Sequence, residues 1–248
     1  MTFLNRLGVS LIAGAVLIAP ARLAAQTKGK LEFEARTPMG QWEIDSTVVK
    51  GLPYSGEGIT TVKLTMFDGT KMERTVTAKF FRDSAGRTRR EQTVVGLEAL
   101  DPGNDFRAIV HIVDPVAGVL YTLNPATRTA DRLSLSLIQG KLKPLNVPLD
   151  YGKKETDLGV KDIDGISAKG TRTVTTVPTG QVGNDRPIDI IDERWESVEL
   201  KVLLRSLHRD PRSGDIEYAL TKISRAEPSA SLFQVPSGYT IRDLPELR

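Results

Sequence analysis

The chain reads as an all-β to α+β protein: about eleven antiparallel strands in one strongly curved sheet, a half-open barrel, with few short helices. Three observations predict this. Thr, Val and Ile number 23, 20 and 15 among 248 residues, and β-branched side chains suit the pleated surface of a strand better than the crowded turn of a helix. Beyond the N-terminal segment, sustained 3.6-residue periodicity is nearly absent, while short runs alternate apolar and polar residues. Turn signals rich in Asp, Gly, Pro and Asn fall between these runs, which is the spacing of an antiparallel meander and not of βαβ units.

The first 25 residues read as a secretory signal peptide. Arg6 supplies a positive n-region, Leu7 to Ala19 an apolar run that Pro20 breaks, and Leu23-Ala24-Ala25 the small residues before Gln26. The run falls short of the roughly 20 apolar residues that span a bilayer, so the mature chain is expected to carry no integral membrane segment and to be exported, cut after Ala25, to the periplasm or the exterior. Residues 26–58 form a partly extended lead, 59–240 a single curved-sheet domain and 241–248 a C-terminal tail.

Within that domain Ile59 to Met66 alternates, with Val62, Leu64 and Met66 on one face and Thr61, Lys63 and Thr65 on the other. Phe67-Asp68-Gly69-Thr70 turns the chain, because glycine accepts the positive φ of a tight hairpin. Lys71 to Arg82 returns with Val76, Ala78 and Phe80 on one side, Asp83 to Gly86 turns again, and Arg87 to Val95 leads away. Arg107 to Val113 and Val119 to Leu123 pair through Asp114 to Gly118; Asn124 to Thr127 turns into Arg128 to Leu133. Helix signals are confined to Val94 to Leu100 and Leu133 to Leu142, and Lys141 to Gly152 is a long crossing loop. Asp164-Gly165 opens the strand Ile166 to Val177, Pro187 to Glu196 follows, and Leu200 to Arg209, with Leu200, Val202 and Leu204 alternating, closes through Asp210 to Gly214 onto Asp215 to Ser224. A sheet this large must coil, because each strand twists against the last.

Charge and composition exclude several classes of function. The 34 basic and 31 acidic groups give +3 at pH 7; removal of the signal peptide takes Arg6 and Arg22 with it and leaves 32 against 31, too even for a nucleic-acid partner. With no cysteine there is no disulfide, thiolate metal site, cysteine nucleophile or acylated N-terminus.

A catalytic, cofactor or metal site is not legible. His111 and His208 are the only histidines, each in a strand without a patterned partner. Ser167 lacks the flanking glycine of a nucleophile elbow. Asp189, Asp192, Glu193, Glu196 and Glu199 divide between the two faces of one strand, and Asp162-Ile163-Asp164-Gly165 lacks the downstream Glu of a calcium loop. Arg82, Arg87, Arg89 and Arg90 read as an exposed hairpin with solubility charges, Arg87 and Arg89 on one face and Arg90 on the other. Trp42 and Trp195 read as packing residues.

Several stretches carry a resemblance. Phe81 to Glu91, Asp114 to Gly118 with Tyr121 to Pro125, Gly170-Thr171-Arg172, Glu193 to Ser197, and Glu227 to Tyr239 together resemble a family of uncharacterised secreted bacterial proteins over residues 59 to 240. More remotely the layout resembles the periplasmic outer-membrane lipoprotein carrier and the sensor domain of the periplasmic sigma-E regulator. The shared features are an early Arg-rich strand, an Asp-Pro turn before a Tyr strand, a Gly-rich mid-chain strand, a Trp strand and a closing Leu-Phe…Val-Pro-x-Gly-Tyr. That resemblance implies an unclosed antiparallel barrel around an apolar cavity, holding an acyl chain or lipidated protein; this chain has fewer evident helices and a longer N-terminal lead.

The expectation is therefore a binding protein and not an enzyme, with no cofactor and an apolar ligand, a lipid or lipoprotein acyl chain, in the curved sheet. Val62, Leu64, Met66, Val76, Phe80, Val202 and Leu204 are the candidate lining residues. The alternative is an envelope interaction or stress-sensing module that binds another envelope protein through the edge near Arg87 to Arg90 and the Arg242 to Arg248 tail.

Overall fold

The computed structural model describes residues 48–92, 108–138 and 151–244. All of them belong to a compact unit that spans 43–248. The signal segment, the lead up to residue 47, the helix signal Val94 to Leu100 and most of the crossing loop after Lys141 lie outside the described residues.

The described chain forms twelve strands: β1 (Tyr54–Thr65), β2 (Lys71–Arg82), β3 (Thr88–Gln92), β4 (Ile109–Asp114), β5 (Val119–Asn124), β6 (Thr129–Ser134), β7 (Gly152–Ile163), β8 (Ile166–Val177), β9 (Ile188–Ser197), β10 (Leu203–Asp210), β11 (Gly214–Ser224) and β12 (Thr240–Asp243). A four-residue helix, α1 (Leu135–Ile138), follows β6, and a 3₁₀ turn (Ala230–Phe233) precedes β12. They make one open sheet in the order β12-β6-β5-β4-β3-β2-β1-β11-β10-β9-β8-β7. The sheet is antiparallel except where β12 joins β6 in parallel.

The expected strands are present with small shifts, and the differences have physical causes. β1 begins at Tyr54, five residues ahead of the clear alternation, because Gly56 and Gly58 blank the apolar signal while Leu220, Phe80 and Tyr218 fill the space above them. β7 and β12 are additional. β7 is an edge strand exposed along most of its length, so Lys and Glu occupy both of its faces and no period of two shows. Leu200 and Val202 precede β10 instead of opening it, since Lys201 has φ +54° and turns the chain.

Alternation puts even-numbered β2 residues on one face and odd-numbered ones on the other. On the Phe81 face, the row Phe81, Arg89, Ile112, Tyr121, Arg132 and Asp243 runs from β2 to β12. There Val110, Ile112, Leu123 and Ala130 are sealed by a C-terminal strap whose Phe233 is buried and whose Leu232, Val235 and Tyr239 pack beside it.

The sheet bends at its other half. β10 carries an extra residue between Leu203 and Arg205, β7 one between Asp157 and Gly159, and β11 is irregular opposite Ser55 to Glu57. Bulges bend a strand and raise its twist. Around them Ile163, Ile166, Ala168, Trp195, Leu200, Leu204 and Leu220 form a second core, with Tyr54, Phe80 and Tyr218 against it. The curl is deep enough for buried Arg82 on β2 to donate to the carbonyl of Leu200, which precedes β10. On a flat sheet those strands would be about 14 Å apart at three spacings of 4.8 Å.

This geometry corrects the reading of the arginine run. Arg82 is buried, stacks 4.9 Å over Tyr54 and donates from Nε to the Leu52 carbonyl at 2.9 Å. Arg87 pairs with buried Asp83 at 2.6 Å and lies over Phe233; Arg89 pairs with Glu91 and donates from Nη1 to the Leu232 carbonyl at 2.9 Å. Arg87 and Arg89 fasten the strap, Arg82 ties β2 to the second core, and none of the three is a solubility charge. β3 also lies inside the sheet, so the expected docking edge at Arg87 to Arg90 is not an edge.

Candidate functional site

The Phe80 face holds the candidate site. Gly58 is its floor: a Cβ there would lie 2.5 Å from the Phe80 ring and 2.8 Å from the Tyr218 ring, so only glycine lets both rings cross β1. The two rings meet edge to face at 6.4 Å, a favoured aromatic geometry. From them an apolar track runs outward. Val76 lies opposite Thr60, Val62 opposite Ile216, and Leu64 opposite Met72. Val76 and Ile216 are buried, Val62 and Leu64 half-buried, and Met72 exposed.

Polar groups gather at the inner end. Arg90 on β3 pairs across the ladder with Phe80 and places its guanidinium 5.5 Å over that ring. His111 on β4 is opposite Arg90, with Nδ1 3.2 Å from Thr122 Oγ1. Burial, and then the Arg90 charge, push the His111 pKa down to about 4, so the imidazole is neutral at pH 7. Burial raises the Tyr218 hydroxyl above the ordinary phenol range, more than Arg90 opposes it, and the group is un-ionised. Ser206 on β10 is opposite Tyr218, and its buried Oγ has no hydrogen-bond partner among the described residues.

Farther across the same face His208 Nδ1 lies 2.7 Å from Asp192 Oδ1. Among the described residues Asp192 is its only hydrogen-bond partner, and Ser206, two positions along the strand, has none, so no hydrogen-bonded nucleophile completes the pair. The carboxylates of β9 are otherwise engaged: Glu193 takes Arg172 at 2.7 Å and the Trp195 indole N–H at 2.8 Å, and Glu196 takes Arg194 at 3.1 Å. No group of three metal-ligating side chains occurs among the described residues.

The register brings Val62, Leu64, Val76 and Phe80 onto one face of adjacent strands. Met66 stands beyond the end of β1, exposed at the solvent end of that track. Leu204 is fully buried in the second core, and Val202 packs on that core from the link before β10. Tyr218, Ile216, Arg90 and Ser206 belong to the same face. Their place there depends on pairings between distant strands, and the glycines under the rings are the one local signal of it.

No family model matches the chain, and no curated protein does. Solved structures do. The Pseudomonas aeruginosa MucA/MucB complex matches at TM-score 0.43 and 12% identity, covering 76% of this chain and 57% of that one. The Mycobacterium tuberculosis lipoprotein LppX matches at 0.34 and 16%, covering 72% and 90%, and a LolA superfamily protein from Nitrosomonas europaea at 0.33 and 11%, covering 83% and 96%. Each of these likenesses is remote, at 16% identity or less and a TM-score of 0.43 or less. No helix among the described residues is long and apolar enough to cross a membrane.

Proposed function

We propose that the chain is an exported, non-catalytic binding protein that holds an apolar ligand, an acyl chain of a lipid or lipoprotein, along the Phe80 face. The observation that carries this reading is the apolar track from Phe80 and Tyr218 through Val76, Ile216 and Val62 to Leu64 and Met72, with Thr60 and Arg74 as the polar residues of β1 and β2 beside it. Between Phe80 and Met72 it spans eight residues, about 26 Å at 3.3 Å per residue. Among the described residues no second sheet covers this face, and α1 packs on β6. Each methylene of a chain laid along the track gains about 0.8 kcal/mol on leaving water, so binding requires no catalytic group. Arg90 and the Ser206 hydroxyl supply the few polar contacts that orient a ligand in an otherwise apolar site.

Native mass spectrometry of protein purified from periplasm is expected to show a lipid adduct, and the emptied protein to take up a fluorescent fatty acid. Asp in place of half-buried Val62 or Leu64 is expected to weaken uptake about tenfold or more, since a carboxylate then faces the chain. Absence of both adduct and uptake sinks the reading. Docking of another envelope protein on a sheet edge would fall to β7, where Lys153, Lys154, Glu155, Asp157 and Lys161 oppose strand addition, or to the four-residue β12, which holds Arg242 of the expected tail.

A further inference from the structure

We infer that the tip of the β1–β2 hairpin is a membrane-contact site that rests on the surface of a phospholipid bilayer. The turn that carries it is ordered by its own backbone. The Met66 N–H donates to the Thr70 carbonyl at 2.8 Å, the Gly69 N–H to the Met66 carbonyl at 2.9 Å, and Asp68 Oδ1 accepts from the Thr70 N–H at 2.9 Å, with Gly69 at φ +83°. This turn holds Phe67 fully in water, with Met66 and Met72 beside it at 47% and 46% exposure. Other large exposed apolar residues, such as Val116, Val160 and Val182, stand singly on separate turns and edges; here three fall within seven positions and include an aromatic ring.

On its β1 side the hairpin is paired with β11 as far as Lys63, and its β2 side is open among the described residues. β2 pairs with β3 only from Ala78 to Arg82, so Lys71 to Thr77 have no β3 partner and Lys71 to Thr75 are exposed. A tip of three side chains is too small for a stable protein interface, which buries about 800 Å² on each partner. It suits a bilayer, where apolar side chains enter the headgroup boundary and flanking cations meet phosphate. Lys71 and Arg74 stand behind the tip, and among the described residues neither has an ion-pair partner; Lys63 is tied to Glu217 at 2.9 Å. The acids there are Asp68, Glu73, Asp210 and Asp215; Asp68 is engaged by the turn's own amide, Asp210 by Arg212 and Asp215 by Arg209. Leu64 and Met72 join the tip to the apolar track, where Arg74 stands opposite Val62 on the same face, so a chain leaving a bilayer at the tip meets the Phe80 face past one cation.

The exported chain is tested by co-sedimentation with unilamellar vesicles of phosphatidylethanolamine and phosphatidylglycerol. The wild type is expected to pellet with them, and Phe67→Ser to lower the bound fraction about tenfold. Val160→Ser, at a residue 64% exposed on the β7 edge, leaves binding unchanged. Lys71→Glu with Arg74→Glu weakens binding only when phosphatidylglycerol is present. Phe67→Ser keeps its uptake of fluorescent fatty acid, which separates this site from the ligand face. A wild type that stays in the supernatant, a Phe67→Ser protein that pellets like wild type, or an equal loss in Val160→Ser overturns the inference. So does a concentration-dependent dimer that Phe67→Ser abolishes, which would assign the tip to a second copy of the chain.

Discussion

Gly170 and His111 show how single positions bear on this fold. A Cβ on Gly170 would lie 2.5 Å from Cζ3 of Trp195, and the ring in that space is capped by Lys161 Nζ at 3.5 Å from its centroid. Gly170→Ala is expected to displace the indole and lower stability by about 1–3 kcal/mol in urea unfolding. Gly152→Ala, with open space around it, is expected to change stability by no more than about 0.5 kcal/mol. His111 titrates near 6.5 when unfolded and at about 4 in the fold, for burial first and Arg90 second. Above pH 6.5 both states hold a neutral ring. As the pH falls from there to 4 the unfolded chain takes up the proton and the folded one does not, so stability declines by at most about 3 kcal/mol. His111→Gln, neutral throughout, is expected to flatten that slope in unfolding curves taken from pH 7 to 4. Sequence alone read both histidines as structural or surface residues without a patterned partner. It could not show that Arg90 lies across the ladder from His111, because the residues between β3 and β4 hide which positions are opposed.

Elements were legible where one face is buried and the other wet. β2 and β8 have the expected bounds, since Val76, Ala78 and Phe80, or Ile166 and Ala168, alternate against Lys and Thr. β12 left no such signal: its four residues are exposed, and its place comes from the Arg132–Asp243 pair at 2.6 Å and the Arg242–Asp131 pair at 2.7 Å. The Glu227 to Tyr239 strap was recognisable as a motif but not as a cover. Its hold lies in Phe233 under Arg87 and in Glu227, which accepts from the Ser84 amide at 3.0 Å. Phe233→Ala is expected to cost about 3–5 kcal/mol, as for other large aromatic truncations in a core. Among the described residues, ending the chain after Tyr239 removes the exposed ion pairs and a short ladder. Each exposed pair contributes about 0–1 kcal/mol, so that truncation should shift the urea midpoint less than Phe233→Ala does.

At the scale of the molecule the chain places its first described strand at the centre of the sheet, where β1 meets β11 along Gly58 to Leu220 and Val62 to Ile216. That long-range closure brings Tyr218 beside Phe80 and completes the apolar track. Fatty-acid saturation at about 100 times Kd should stabilise the wild type by about 2.7 kcal/mol, read as a raised Tm, and should leave Leu64→Asp nearly unmoved at the same concentration. By itself the sequence determined the strands other than β7 and β12, their turns and which of their residues share a face, because side chains alternate with a period of two and turn glycines act locally. It also determined that Arg87 and Arg89 oppose Arg90. Only the tertiary structure decided that Arg87 and Arg89 are packed and fasten the strap, that Met66 stands exposed at the solvent end of the track and Leu204 deep in the core, and that Phe67 is fully exposed at the hairpin tip. Those outcomes depend on bulges and on pairings between strands more than 150 residues apart, whose energy is realised only when the whole sheet has its register.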